Sequence, residues 1–542
     1  MTEALLSPEC DDESVGQTLD DAHSTTEARR GWILGGVLVL CLAIVGVSWS
    51  LASPIGASPD DDFHLASIWC SNSAPSSQCR STTNTQPPGL RSVLVPIEVS
   101  PTILCFPFNP AASASCPVEP ASGRFAASRA NDGLYPGGYY EVMGLFVSDH
   151  PVESVLTMRL VGWLLAAASI VAAAWVSDRR LRSAYVLAVI TTSIPLGLFL
   201  FASNNPSGLV IACVGAYWCA SMAFMAADTK GKSWSAAAVA VLSAAMALVS
   251  RADAGLYIGA AAASAFVCTH GWRRAHWGKS AFLAAAALTG MIGLVFGNQV
   301  SNASGGLSGT STGRPLTSTL WNNINNLPSL WTGSLGTWGL GWLDTTMPAV
   351  VWAGMLTLCC GLAFWALGMA RETSNFAAIG IMVATIVALP LILLSGGGNL
   401  VGENVQPRYL LPALPIILAY LLLANSDGAI RSLNTAQRNT LLIIAVTAQS
   451  AALHANLRRY VTGQDVLGPD LSGGEWWWPM RLQPMTIWVL GSIAFAVGLL
   501  VSLRLADGNS TSEPRFSRQQ MNAIETTPGL GVSTADQPHE VR

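Results

Sequence analysis

The chain has 542 residues, 51% of them apolar and only 11% charged, where a soluble chain of average composition carries about 25% charged residues. Basic residues number 28 and acidic residues 32, a formal charge of −4. This balance speaks against a soluble enzyme, a disordered tail protein and a nucleic-acid binder, which needs a basic face.

The apolar residues fall in runs such as Gly31–Trp49, Val161–Val176 and Trp234–Val249, each close to the roughly 20 residues that cross a bilayer. The pattern predicts an all-α polytopic membrane protein with about twelve spans, at 31–52, 155–176, 183–202, 206–227, 233–250, 253–270, 278–299, 347–370, 376–396, 408–424, 439–456 and 485–503. Residues 1–30 are polar and read as a disordered cytoplasmic tail, 31–504 as the membrane domain, and 505–542 as a second disordered tail. The first apolar run is long for a signal peptide and follows a long hydrophilic leader, so it reads as a retained span.

Sidedness follows from the basic residues near span ends. With the N-terminus in the cytoplasm, Arg179, Arg180, Arg182, Lys230, Lys232, Arg273, Arg274, Lys279, Arg371, Arg431 and Arg438 all fall inside, and Arg458-Arg459 is the main exception. Both termini are then cytoplasmic, and the long loops 53–154, 300–346, 397–407 and 457–484 face outward. The first loop holds Cys70, Cys79, Cys105 and Cys116. An even number of cysteines in an exported segment suggests disulfides, with Cys70–Cys79 and Cys105–Cys116 the simplest pairing; zinc ligation is the competing reading, without histidines at finger spacing.

Just after the first span stands Ser58-Pro59-Asp60-Asp61-Asp62-Phe63-His64. A helix N-terminus explains one or two aspartates. Three in a row, with His64 on the helical face of Asp60, also suit a general base or a cation site. Asp60 and Asp61 are the candidate ligands for a divalent cation (Mg or Mn), which the sequence does not require. Further along, Arg159 lies about one turn inside the second span, Arg251 and Asp253 occupy a tight turn, and Gln406-Pro407-Arg408-Tyr409 opens the span at 408. Snorkelling or local ion pairing accounts for each singly. Their shared side is what a site for a lipid phosphate needs. Tyr135-Pro136-Gly137-Gly138-Tyr139-Tyr140-Glu141 and the tryptophans Trp321, Trp331, Trp338, Trp342 and Trp476-Trp477-Trp478 read as interfacial anchors or as a saccharide groove. There is no phosphate loop, dinucleotide fingerprint or His-Glu-x-x-His motif.

Pro59-Asp60-Asp61-Asp62-Phe63-His64 resembles the Pro-Asp-Glu-x-x-His signature of the membrane-protein family called domain of unknown function 2142, itself similar to the GT-C integral-membrane glycosyltransferases. The Tyr-Pro-Gly-Gly-Tyr-Tyr segment resembles the family's Pro-Pro-x-Tyr-Tyr stretch, departing at Gly137 and Gly138. Met158-Arg159-Leu160, Arg251-Ala252-Asp253 and Gln406-Pro407-Arg408-Tyr409-Leu410-Leu411-Pro412 follow in the expected order. The resemblance implies a GT-C-like transferase on the outer face of the cytoplasmic membrane. It would take sugar from a polyprenyl-phosphate donor to an envelope glycan or glycolipid acceptor. Asp60 would be the catalytic carboxylate, with Asp61 in the place of the usual glutamate and His64 orienting them; Arg159, Arg251, Asp253, Arg408, Tyr409, Tyr139 and Tyr140 would bind substrate. A transporter or flippase, and a non-catalytic envelope-assembly protein, are the readings from other classes; the chain shows no internal repeat of the kind transporters carry.

Overall fold

The computed structural model describes residues 12–84, 86–101, 104–115, 124–296, 313–369, 371–403, 405–424, 428–474 and 476–508. Among the described residues, eight helices are long and apolar enough to cross a membrane. They are α1 (Asp12–Leu51, apolar from Arg29), α4 (Pro151–Val176), α7 (Pro206–Ala226), α8 (Lys230–Ser250), α13 (Ala349–Leu367), α14 (Thr373–Gly396), α18 (Thr435–Val461) and α19 (Pro484–Asp507). The chain is a polytopic membrane protein. The remaining four predicted spans coincide with shorter, broken or incompletely described helices. Pro195 separates α5 (Arg179–Ser193) from α6 (Leu196–Phe201), and the stretch containing Pro412 separates α15 (Pro407–Leu410) from α16 (Leu414–Leu422), because proline removes a backbone donor and clashes with the preceding turn. α9 (Ala254–Cys268) has only 15 residues. α10 (Trp277–Phe296) runs to the edge of the described residues.

Helix α1 starts at Asp12 and so takes in part of the expected N-terminal tail. The description all-α is incomplete, because the first loop holds a small sheet. The loop carries helix α2 (Asp61–Trp69), strands β1 (Arg80–Ser81), β2 (Leu90–Pro96) and β3 (Phe125–Asn131), and helix α3 (Gly138–Gly144). The strands form an antiparallel sheet in the order β1-β2-β3, with Leu90 opposite Asn131 and Pro96 opposite Phe125.

Alternation on β3 buries Ala126, Ser128 and Ala130 and lays α2 on the sheet. Ser128 Oγ donates to the Asp62 carbonyl at 2.9 Å, and the Asn131 N–H donates to Ser67 Oγ at 2.9 Å. Asp62, to which sequence gave no role, fixes the same contact through Arg129 at 2.9 Å. The predicted Cys70–Cys79 disulfide is present, with Cα atoms 5.2 Å apart, and ties the end of α2 to the start of β1. In the second predicted pair, Cys105–Cys116, Cys116 lies outside the described residues.

α7 is the innermost of the long helices, buried over 89% of its apolar window. Its entry is tight: a Cβ on Gly208 would meet the Leu200 carbonyl oxygen at 2.4 Å, so only glycine lets α7 start this close to α6. The first loop, the segment before α13 and the segment after α18 gather at one end of the bundle. Arg459 joins them by donating to the carbonyls of Phe106 and Ala112 and to Asp344.

Candidate active site

The segment from the end of α1 to Asp60 is held by its carbonyls. The last carbonyls of a helix have no partner within it, and here side chains from distant elements take them. Arg159 of α4 donates to the carbonyls of Ser50 (2.9 Å), Ser53 (2.6 Å) and Pro54 (2.8 Å). Trp478 Nε1 donates to Leu51 at 2.8 Å, and Asn456 of α18 to Ala52 at 3.0 Å. Further along, Trp342 Nε1 donates to Gly56 at 2.9 Å and Asn205 to Pro59 at 2.8 Å. Asp60 leaves this clamp at φ 59°, a left-handed conformation that aspartate tolerates better than most residues.

Helix capping would put the Asp60 carboxylate on an α2 N–H, but no such bond exists. The carboxylate turns instead to Arg408, whose Nη2 lies 2.5 Å from Asp60 Oδ2. Arg408 is 3% exposed and the Asp60 side chain 31%. Burial by itself raises the Asp60 carboxyl; attraction to Arg408, with smaller effects from His64 and Arg129, outweighs this and holds it below the usual carboxylate range. Arg408 also donates to Tyr409 Oη at 3.2 Å, while its Nε and Nη1 are buried with no hydrogen-bond partner among the described residues.

Arg251 joins the same cluster. It makes a bidentate pair with Asp253 (2.9 and 2.7 Å) and reaches Ser207 Oγ at 3.1 Å. Both cations lie against the Tyr409 ring, its centroid 4.8 Å from the Arg251 guanidinium and 5.1 Å from that of Arg408. The Tyr257 hydroxyl fixes Tyr409 by donating to its carbonyl. Tyr135, half-buried, takes Arg251 on its other side at 5.3 Å.

Asp61 and His64 belong to the layer beneath. Asp61 is fully buried; one oxygen accepts the Ser58 N–H at 3.1 Å and the other has no hydrogen-bond partner among the described residues. Burial, against the opposing pull of Arg159, lifts its carboxyl to about 6. His64 Nδ1 is 3.0 Å from Tyr140 Oη, and burial drives the imidazole down to about 3, so it is neutral at physiological pH. Asp60 and Asp61 therefore meet different surroundings, and no group of three His, Cys, Asp or Glu converges among the described residues. The pair does not fit a shared divalent cation.

Residues 42–417 match the family model described as predicted membrane protein (DUF2142). The chain belongs to the DUF2142 family. No curated protein and no solved structure matches it.

In this DUF2142 chain the structure brings together Asp60, Arg408, Tyr409, Arg251 and Asp253 from three separate stretches of sequence. It withholds three of the predicted substrate contacts. Arg159 spends its Nη groups on carbonyls and is a positioning residue: a charge inside an apolar helix marks importance without saying for what. Tyr139 and Tyr140 are each 3% exposed and pack edge to face at 5.7 Å, so they form a wall beneath His64 rather than a sugar platform. Trp478 and Trp342 act as donors to the clamp. Sequence reasoning missed Asn205, Asn456, Asp344 and Arg129; neutral amides had no signal, whereas Arg459 had one, as an arginine on the side that basic residues otherwise avoid.

Proposed function

We propose that this DUF2142 member is a GT-C-like membrane glycosyltransferase, moving a sugar from a polyprenyl-phosphate donor to an envelope glycan or glycolipid acceptor. The reaction would take place on the extracytoplasmic face of the cytoplasmic membrane, with both termini in the cytoplasm. The observation that carries the reading is the Asp60–Arg408 pair, in which a carboxylate of one-third exposure meets a buried guanidinium with two unspent donors. Sidedness rests on the distribution of basic residues, since Arg180, Arg182, Lys279 and Arg371 all lie at the end opposite the long loops.

In the proposed reaction the acceptor hydroxyl gives its proton to Asp60 as its oxygen bonds the anomeric carbon. The bond from that carbon to the phosphate oxygen breaks, and its electron pair stays on the leaving lipid phosphate. One displacement of this kind inverts the anomeric centre. Arg408 Nε and Nη1 supply cationic donors where the negative charge develops, and Arg251 adds its field through the shared Tyr409. A phosphate on Arg408 also competes with Asp60 for the guanidinium. Asp60 is a poor base while paired and regains basicity once the donor is bound, which orders donor before acceptor.

The test is transfer from radiolabelled polyprenyl-phosphate sugar to a membrane-glycolipid fraction, using the full chain in nanodiscs. Wild-type protein is expected to transfer label and Asp60→Asn to transfer none. Equal transfer by both would remove Asp60 from the chemistry. No transfer by wild-type protein from any polyprenyl-phosphate sugar would overturn the reading as a whole.

A further inference from the structure

Away from this site, α18 and α19 enclose a groove of about 510 Å³ on the flank of the bundle. Val446, Ser450, His454 and Arg458 follow one another along α18 at helical spacing, and Trp488 and Ser492 of α19 form the facing wall. Arg458 and its neighbour are the arginines that break the sidedness pattern. Arg459 is accounted for by the fold, spent on Phe106, Ala112 and Asp344. The Arg458 guanidinium makes no hydrogen bond or ion pair among the described residues.

Four other polar side chains of the groove, Trp488, Ser450, Ser492 and His454, are hydrogen-bonded within its walls. Trp488 Nε1 donates to Ser450 O and Oγ at 3.0 Å, Ser492 Oγ donates to Ser450 Oγ at 2.9 Å, and His454 Nε2 is 2.9 Å from the Pro469 carbonyl. His454 stacks edge-on against Trp488 at 4.7 Å. Arg458 is thus an unspent cation at the mouth of a wall that is otherwise largely apolar or hydrogen-bonded within itself. From Arg458 down to Val446 the helix rises about 18 Å at 1.5 Å per residue. Half of a bilayer's hydrocarbon core is about 15 Å.

We propose that this groove binds one anionic phospholipid of the leaflet at the loop-rich end. Its phosphate sits on Arg458 and one acyl chain lies along α18 to Val446, near mid-membrane. The match of lengths argues for a lipid of a single leaflet, and the lone cation for one phosphate. The lining contains no carboxylate to receive the ammonium of a zwitterionic head.

The test is native mass spectrometry of the full chain released from nanodiscs. The discs contain phosphatidylglycerol, phosphatidylethanolamine or the phosphate-free glucosyl diacylglycerol. Phosphatidylglycerol is expected to be retained in preference to the other two. Arg458→Gln is expected to lower its retention about fivefold, the worth of one basic side chain at an anionic surface. Val446→Trp fills the groove while leaving the cation and is expected to lower retention as well, whereas Arg431→Gln, at the opposite end, leaves it unchanged. Retention indifferent to both Arg458→Gln and Val446→Trp, or equal retention of the glucosyl lipid or phosphatidylethanolamine, would overturn the proposal. Sugar transfer plays no part in this readout, so it stands or falls apart from the enzymatic reading.

Discussion

Arg408 Nη2 meets Asp60 Oδ2 at 2.5 Å across 348 positions of sequence. The contact joins the start of α2 to α15, beside the shared ring of Tyr409. If Asp60 is the base, Asp60→Asn keeps shape and removes charge. Transfer is expected to fall at least 10²–10⁴-fold, about the worth of general-base catalysis, with the protein still folded by circular dichroism. Arg408→Gln is expected to lose transfer too. The double variant should be little worse than either single one, because the two side chains act as one unit.

Asp61 gives a pH-dependent expectation. Its folded carboxyl titrates near 6, above the ordinary value for aspartate of about 3.9. The folded state therefore binds this proton more tightly than the unfolded state. Its contribution favours folding below about pH 4, declines as pH rises toward 6, and is a constant penalty above that. Asp61→Asn removes the penalty, so its melting temperature is expected to exceed wild type at pH 7.5. The difference should vanish near pH 4; an unchanged difference across that range would contradict the assignment.

The clamp at the end of α1 is expected to fail in a graded way. Arg159→Met leaves the carbonyls of Ser50, Ser53 and Pro54 without their donor, and each unpaired buried group costs about 1–3 kcal/mol. That variant is expected to accumulate poorly in membranes. Trp478→Phe removes a single donor from Leu51 and keeps most of the bulk. About 1 kcal/mol should be lost, visible as a modest fall in melting temperature together with reduced transfer.

For the disulfide, Cys70→Ser with Cys79→Ser opens a short loop closed across nine positions. The expected cost is up to about 3 kcal/mol in the chain-entropy picture. Reducing agent should lower the melting temperature of wild type and leave the double variant unmoved.

Topology can be checked directly. Reporters fused at residue 110 and residue 275 are expected on opposite sides of the membrane, because basic residues cluster around Arg273, Arg274 and Lys279. The same sidedness for both would refute the assigned orientation.

What could be read from the sequence was the chemistry that is rare in an apolar chain. Asp60, Arg251 and Arg408 stood out because charges at span ends are few, and they do assemble. The role of Arg159 was misread, since a buried guanidinium looks the same in sequence whether it awaits a ligand or holds a backbone. The breaks at Pro195 and near Pro412 were visible as prolines, yet apolar runs continuing on both sides masked them. The sheet escaped because β1 has two residues and β3, Phe125–Asn131, is built after Phe125 of alanine, serine, arginine and asparagine, with no large apolar side chain on its buried face. Asn205 and Asn456 are neutral donors whose partners are carbonyls, and such pairs leave no mark in one sequence.

The family match ends at residue 417, but the geometry of Asp60 does not. Asn456 and Trp478, both past that boundary, hold the carbonyls of Ala52 and Leu51. A fragment cut at the edge of the recognisable region would keep every acid and base assigned to the reaction, yet lose part of the frame that aims them. For engineering, the working unit is the chain through α19, and a transplant of residues 42–417 should yield an inert protein with an intact motif.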